Sequence, residues 1–163
     1  MQVSFRIAAL LIAALIFLPR TSLAQQKKTN AEQVLFESAN RERAAHGSPP
    51  LKWDATLAHA AQQHALRMAK QNSLSHQFPG EPDLPARAIQ AGSRFSALAE
   101  NVAEGSSAAN IHAQWMKSPH HRANLLDTEL DSVGIAVTQR NGQLFAVEDF
   151  SRAVGSRTIS RRR

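Results

Sequence analysis

The sequence predicts an α+β fold in one small domain, with helices in the first part of the chain and strands at its end. Three observations carry this prediction: capped helical segments early in the chain, a strong β-hairpin signal near residue 141, and no repeated strand–helix–strand unit between them. A doubly wound parallel sheet is built from that repeat, so its absence favours helices and strands that are segregated along the chain.

Two helices are predicted in the first half of the chain. Thr29-Asn30-Ala31-Glu32 has the spacing of a capping box and predicts a helix from Glu32 to about Ala45, which Gly47 and the prolines after it end. Asp54 is placed to cap a second helix over about 55–72. The apolar residues of that segment recur at helical spacing and form one stripe: Leu57, Ala58, Ala61, Ala65, Met68 and Ala69.

The middle of the chain predicts a long connection followed by two further helices. Residues 73–97 are rich in Pro, Gly and Ser, with room for one short helix around Leu84 to Ala91, and a connection of that length tends to carry function. Ser106-Ser107 caps a third helix, whose Trp115 we interpret as a core anchor. Pro119 begins a shorter helix that runs to about Leu126.

A β-hairpin is the clearest local signal. The segments 131–139 and 143–151 flank Arg140-Asn141-Gly142, and Asn-Gly is the preferred centre of a two-residue type I′ turn. Counting outward from this turn predicts four pairs: Arg140 with Gln143, Val137 with Ala146, Ile135 with Glu148, and Val133 with Phe150. Glu148 is thereby expected on an apolar face, where a carboxylate is out of place.

The first two dozen residues predict a cleavable secretory signal peptide. Arg6 precedes an apolar run, Ile7–Leu18, and Ser22-Leu23-Ala24 supplies the small residues of a cleavage site, so cleavage is predicted after Ala24. A retained membrane anchor, the alternative, needs about 20 consecutive apolar residues, and Pro19-Arg20 interrupts this run. The cleaved protein is then not an integral membrane protein, and it is expected in the periplasm or the medium.

Length, charge and cysteine content indicate how the chain is divided into segments and what can stabilise it. We expect a signal peptide over 1–24, a linker over 25–31, one domain over 32–154 and a disordered basic tail over 155–163. The chain carries +6, but six arginines of the signal and tail account for that excess, so no basic face for nucleic acid is expected. The tail alternatively contacts anionic lipid or cell-wall polymer. No cysteine is present, so stability depends on packing or a metal.

Short motifs of hydrolases and nucleotide-binding proteins are absent from the sequence, which contains no His-Glu-x-x-His, P-loop or Gly-x-Ser-x-Gly pattern. No organic cofactor is expected. Three polar groups stand out at the edges of predicted elements instead: Ser75-His76 at the end of the second helix, Ala99-Glu100-Asn101 at the entry to a predicted strand, and His120-His121 beside Pro119. Neighbouring histidines diverge by about 100° on a helix, so at most one of the last pair can face a cleft, and the other is expected at the surface.

Several motifs in order give the chain its resemblance to a known family. They are Asn40-Arg41-Glu42-Arg43, Pro50-Leu51-Lys52-Trp53-Asp54, Met68-Ala69-Lys70, Ser75-His76, Ala99-Glu100-Asn101-Val102-Ala103 and the long run from Trp115 to Leu126. From about Glu32 to Ser151 the sequence resembles the CAP superfamily, also called the SCP domain, and within it the exported bacterial proteins. The resemblance implies a three-layer α-β-α sandwich that ends in the hairpin.

The resemblance also implies a solvent-filled cleft in which two histidines and two glutamates meet. His76, Glu100 and His121 match three of these positions, with Asn101 beside them, and such a set suits Zn²⁺ or another divalent metal held by His76 and His121. Ser118 stands where the second glutamate is expected. Glu104 or Glu148 could replace it, although a carboxylate at a strand end is often simply solvated.

Three functions remain open at this stage. The first is a binding module for a small apolar or lipid ligand, or a cell-envelope component, with the metal in the cleft. The second is a metal-assisted hydrolase of peptide or cell-wall substrates, with Glu100 or Glu148 as the candidate catalytic group. The third is a structural envelope or defence module that acts through its surface and basic tail, with the cluster serving only to rigidify the fold. Trp53, like Trp115, is interpreted as a core anchor. The remaining histidines are interpreted as packing or surface residues: His46, His59, His64 and His112.

Overall fold

The computed structural model describes residues 28–154. The predicted signal peptide and basic tail lie outside the described residues. Within them, no helix is long and apolar enough to cross a bilayer. The elements follow in the order α1 (Asn30–Ala45), β1 (Lys52–Trp53), α2 (Ala55–Gln71), α3 (Leu84–Gln90), β2 (Phe95–Gly105), α4 (Ala108–Lys117), α5 (Pro119–Leu126), β3 (Ser132–Arg140) and β4 (Gln143–Ala153).

The four strands form one sheet in the order β1-β3-β4-β2, which leaves β2 at an edge. The short β1 pairs in parallel with β3, and the other pairings are antiparallel. One face of the sheet packs against α2 through Val102, Ala136, Phe145 and Val147. The opposite face packs against α1, α4 and α5 in a larger core. The α+β class and the three-layer α-β-α sandwich are thereby confirmed.

The predicted capping residues are confirmed, although α1 begins at Asn30, directly after its cap, and not at the predicted Glu32. Thr29 accepts a hydrogen bond from the backbone of Glu32, and the Glu32 side chain accepts one from the backbone of Thr29, which is the reciprocal pattern of a capping box. Asp54 accepts from the first-turn amides of α2, and Ser107 caps α4. These contacts satisfy amides that a helix start would leave without partners, so each helix begins where its cap stands.

The hairpin has the predicted register. Ile135 lies opposite Glu148, and the turn residues Asn141 and Gly142 have φ values of 49° and 81°, as a type I′ turn requires. Glu148 shares the face of Ile135 and is fully buried. The alternative that Glu148 is a solvated carboxylate at a strand end is wrong, because the α-helical layer covers the middle of β4.

One strand was not anticipated, and another begins earlier than predicted. The unanticipated β1 has two residues. The strand predicted at Ala99-Glu100-Asn101 is β2, which begins at Phe95, inside the segment 73–97 that the sequence assigns to a connection. β2 pairs with β4 over its whole length after an irregularity between Phe95 and Ala97. Its extended conformation depends on pairing with residues about fifty positions later, which no local pattern reveals.

Gly134 determines how closely α2 approaches the sheet. A Cβ atom added at Gly134 would lie 2.0 Å from the backbone nitrogen of Ala58 and 2.2 Å from the carbonyl carbon of Leu57. Glycine therefore lets the backbone of α2 lie directly on β3, with no side chain between them. That close contact fixes the position of α2, and with it the start of the loop that carries His76.

Both tryptophans pack against the core, as predicted, but only Trp115 is fully buried. Trp115 is fully buried and donates its indole N–H to the carbonyl oxygen of Val102 at 3.3 Å, as a core anchor should. Trp53 is partly buried and packs edge-on against Phe36, with the ammonium group of Lys28 4.2 Å from its ring centroid. Both residues serve packing in this structure.

Candidate functional site

The candidate site lies at the edge strand β2. Adjacent residues of a strand point to opposite faces, so Glu100 faces the α2 layer and Asn101 faces the α5 layer. Their cross-strand partners on β4 are Asp149 and Glu148, respectively. The edge of the sheet is therefore the place where a side chain from the α2 loop and one from α5 can approach each other.

His76 is held by Glu100. Its Nδ1 donates to Oε1 of Glu100 at 2.8 Å, and the second carboxylate oxygen of Glu100 accepts from the guanidinium of Arg87. The hydrogen bond from His76 to the carboxylate raises the pKa of the imidazole, against the opposing effect of burial. The His76 side chain is 62% exposed, and Nε2 has no hydrogen-bond partner among residues 28–154. Nε2 is thus available to a ligand.

The loop that carries His76 is clamped by a buried pair, His64 and Glu81. Nδ1 of His64 lies 2.8 Å from Oε1 of Glu81, and Nε2 lies 2.7 Å from the carbonyl oxygen of Ser75. The other oxygen of Glu81 accepts from the backbone N–H of Phe78. Arg87 also donates to the carbonyl oxygen of His76 at 3.1 Å. Contacts on both sides therefore fix the backbone at His76.

His121 approaches the same edge from α5. Burial lowers the pKa of its imidazole, and the nearby positive charges of His76 and His120 lower it further. The neighbouring His120 is exposed, as the helical divergence of adjacent residues predicts. His121 is thus held in the neutral form, which is the form that binds metals.

A buried amide network joins α5 to the sheet beneath His121. The Nδ2 atom of Asn101 donates to the carbonyl oxygen of His121 at 3.1 Å and to Oε2 of Glu148 at 3.2 Å. Asn124 donates to Oδ1 of Asn101 at 3.0 Å. Burial raises the pKa of Glu148 to about 8, although the hydrogen bond from Asn101 opposes the shift. Glu148 is therefore a neutral carboxylic acid at neutral pH and contacts the cleft only through Asn101.

Asp149 is a buried acid that sequence reasoning missed. It is fully buried, and burial raises the pKa of its carboxyl well above the usual range, with a further increase from the negative charge of Glu100. A neutral Asp149 avoids placing two like charges side by side on neighbouring strands. Only the pairing of β2 with β4 brings these two acids together, so no spacing in the sequence could have shown it.

Arg43 determines where α5 ends, and it is fully buried. Its guanidinium donates to four carbonyl oxygens at 2.6–2.9 Å, those of Pro49, Leu125, Asp127 and Leu130. Burial lowers the pKa of Arg43, partly offset by the charge of Asp127. The position of α5, and hence of His121, depends on this residue, which the sequence showed only as part of a motif.

The other two predicted site residues are Ser118 and Glu104. Ser118 links α4 to α5 as the N-cap of α5 and makes no side-chain capping bond. Glu104 lies four residue pairs farther along β2 than Glu100, on the same face, and its backbone carbonyl accepts from Gln114. Among residues 28–154, no group of three or more His, Asp or Glu side chains is arranged to hold a metal ion. Because both oxygens of Glu100 are engaged, the remaining metal donors at this edge are the imidazoles of His76 and His121.

Of the remaining histidines, His59, His64 and His112 lie on helices, and His46 is the C-cap of α1. Nδ1 of His46 lies 2.8 Å from the carbonyl oxygen of Glu42. His112 is largely buried on α4, and burial lowers the pKa of its imidazole. His59 lies on α2 and is exposed. Of the four histidines interpreted as packing or surface residues, only His64 therefore contacts the site, through the backbone of Ser75.

The α-β-α sandwich agrees with the SCP-type domain that the sequence motifs resemble. Residues 36–150 match the Cysteine-rich secretory protein family, CAP. The chain belongs to this family, as the motifs predicted, although it contains no cysteine.

Two relatives with similar sequences come from Bacillus species. The Bacillus subtilis protein YkwD is 28% identical over 122 residues, which cover 73% of this chain and 47% of the relative. A crystal structure of an extracellular SCP-domain protein from Bacillus anthracis has a TM-score of 0.70 and 29% identity, and covers 75% of this chain and 40% of that one. This chain thus spans less than half the length of either relative.

The fold also occurs in a protein of similar size. An outer surface protein of Borrelia burgdorferi has a TM-score of 0.72 at 19% identity, with 78% of this chain and 96% of that chain covered. At this identity the likeness shows the shared fold alone.

Proposed function

We propose that this chain is an exported CAP-domain binding module, and that His76 and His121 hold a divalent metal ion through which a ligand binds in the cleft. The observation that carries the proposal is the orientation of His76. Glu100 accepts from Nδ1 at 2.8 Å, so Nε2 of a largely exposed side chain is the free nitrogen. A carboxylate behind a histidine in this way is the usual outer partner of a metal-binding imidazole.

The donors fit a metal ion held by two imidazoles. His121 is kept neutral by burial, and deprotonation of His76 at Nε2 would leave Nδ1–H bonded to Glu100. Zn²⁺ accepts histidine nitrogen readily, and an ion with only two protein ligands keeps positions open for a ligand or water. When bound, the ion would supply a Lewis-acidic point for an oxygen of the ligand. Glu100 would orient His76 without binding the ion itself.

The carboxylates around the cleft support binding over hydrolysis. Both oxygens of Glu100 are occupied, by His76 and Arg87, and Glu148 is fully buried. A general base must reach the proton that it removes, directly or through one water. Neither candidate acid has a free oxygen at the cleft surface, so the two catalytic roles considered from the sequence receive no support from these contacts.

Export and ligand class complete the proposal. A signal peptide over residues 1–24, cleaved after Ala24, would deliver the domain to the periplasm or the medium. A ligand met there is a small apolar or lipid molecule or another component of the cell envelope. Amino-terminal sequencing of the exported protein tests this step, and a first residue other than Gln25 would contradict the predicted cleavage.

Calorimetric titration with Zn²⁺ tests the metal site. The protein is residues 25–163, and the variants are His76→Ala combined with His121→Ala, and His59→Ala as a control outside the cleft. We expect the double variant to lose at least tenfold in affinity and the control to bind as the wild type does. Equal affinity in the wild type and the double variant would overturn the metal site.

The ligand is tested separately, with an extract of envelope lipids and cell-wall fragments incubated with each zinc-loaded protein. Mass spectrometry of the retained molecules is expected to find a species on the wild type that the double variant lacks. Retention of the same molecules by both proteins, or by neither, would refute binding through the cleft.

A further inference from the structure

Arg87 contacts both the backbone of His76 and the carboxylate that faces its ring. One guanidinium nitrogen donates to the carbonyl oxygen of His76 at 3.1 Å, and the other terminal nitrogen donates to Oε2 of Glu100. The second oxygen of Glu100, Oε1, lies 2.8 Å from Nδ1 of His76. The side chains of Arg87 and Glu100 are 5% and 4% exposed, so little water competes for these contacts. The three residues therefore form one chain of hydrogen bonds that ends at an exposed imidazole.

Arg87 determines the direction of the hydrogen bonds in this chain. A guanidinium has only N–H donors and keeps its charge, so the atom of residue 100 that faces it must be an acceptor. The positive charge also favours the ionised form of Glu100, which has no proton to give to His76. Other neighbours impose no direction: Nε2 of His64 lies 4.0 Å from Oε2, beyond hydrogen-bond distance, and the neutral carboxyl of Asp149 can donate or accept. Nδ1 of His76 is thus the donor.

The position of this proton decides which nitrogen of His76 is free. A neutral imidazole carries one proton, so a ring that is protonated at Nδ1 keeps the lone pair of Nε2. We propose that Arg87 is a positioning residue that selects the Nδ1–H tautomer of His76 through Glu100. The inference deepens the proposed function and rests on it in one respect, since Nε2 is the atom through which His76 would hold a metal ion.

Glu100→Gln tests the direction of the hydrogen bonds with little change in shape. A side-chain amide has one end that accepts and one that donates. With Arg87 present, the amide oxygen should face the guanidinium and the NH₂ group should face Nδ1 of His76, which must then accept. We expect the tautomer ratio to reverse, from about tenfold in favour of Nδ1–H in the wild type to about tenfold in favour of Nε2–H in the variant.

A second substitution at Arg87 should partly restore the original tautomer. In Glu100→Gln combined with Arg87→Met, no guanidinium holds the amide oxygen away from His76, so the oxygen can turn back to Nδ1. We expect the ratio to move back toward Nδ1–H by about threefold or more relative to Glu100→Gln alone. Glu100→Gln combined with Arg87→Lys keeps a cationic donor and should keep the Nε2–H form. Damage to packing alone would give no such recovery.

NMR of the imidazole ¹⁵N nuclei measures these ratios, because a ring nitrogen with a proton and one without have different chemical shifts. The protein is residues 25–163 with a metal chelator, at a pH where His76 is neutral, and His76→Gln identifies its signals. Glu104→Gln, on the same face of β2, is the control and should keep the wild-type ratio. An Nε2–H majority in the wild type, or an Nδ1–H majority in Glu100→Gln, would overturn the proposal.

Equal ratios in the two double variants would also overturn it. Glu100→Gln decides the direction by itself if a double variant does not fold. The tautomer is measured without metal, so a protein that shows the expected tautomers but binds no Zn²⁺ would refute the metal site and leave this inference standing. Zinc binding with an unchanged tautomer in Glu100→Gln would refute the inference alone.

Discussion

Replacement of Glu148 by Gln should change how stability depends on pH. The folded protein holds the pKa of Glu148 at about 8, against 4.5 for the free side chain, so between these values the folded state binds the proton and the unfolded state does not. Folding stability is then lost as pH rises through this window. One pKa unit corresponds to 1.36 kcal/mol, so from pH 5 to pH 7 the loss is roughly 3 kcal/mol.

The Glu148→Gln variant lacks this titration but keeps the size of the side chain and an oxygen for Asn101. Urea unfolding at pH 5, 6 and 7, followed by fluorescence of the buried Trp115, gives the free energy of unfolding of both proteins. Relative to the wild type, the free energy of unfolding of the variant should rise by roughly 3 kcal/mol between pH 5 and pH 7. Any effect of the amide itself on stability is the same at each pH and leaves this change unaltered. Glu104→Gln, at a partly exposed site on β2, serves as the control and should show no such gain. If the free energies of unfolding of the wild type and Glu148→Gln differ by the same amount at all three pH values, the reasoning is refuted.

Two further substitutions test the close contacts that position the site. Gly134→Ala should destabilise the protein by several kcal/mol or prevent folding, because its Cβ would overlap the backbone of α2. Gly47 has a φ of 74° but open space around it, so Gly47→Ala should lower the free energy of unfolding by only about 1–2 kcal/mol. Thermal unfolding that ranks the two variants equally would contradict this. Arg43→Met should cost about 3–5 kcal/mol because four carbonyls lose their donor, and Arg43→Lys should cost less. Arg41→Met, two residues earlier and exposed, is the control, and urea unfolding should leave it near the wild type.

Local signals in the sequence predicted local structure well. The capping residues Thr29, Asp54 and Ser107 placed the starts of three helices, because a cap and the amides that it satisfies lie within three residues of each other. The Asn141-Gly142 turn fixed the hairpin register and thereby revealed an acid on an apolar face. In the structure this acid, Glu148, is fully buried.

The candidate site was less accessible to prediction. His76, Glu100 and His121 were identified by resemblance to a family, and spacing alone could not have joined them. The residues that hold them were missed: His64, Glu81, Arg87 and Asp149. Each of these residues makes its contact through a loop or between strands that are distant in the sequence. Such contacts produce no periodic pattern of residues in the sequence.

The hydrogen bonds of Arg43 act as a non-covalent cross-link in a protein without cysteine. They join the end of α1 to carbonyls 82 and 87 residues later, at Leu125 and Leu130. A disulfide across a loop of that length would need an oxidant to form and would open in the presence of thiols. The guanidinium needs neither and is insensitive to redox conditions. The chain can therefore complete its fold equally well in a reducing or an oxidising compartment.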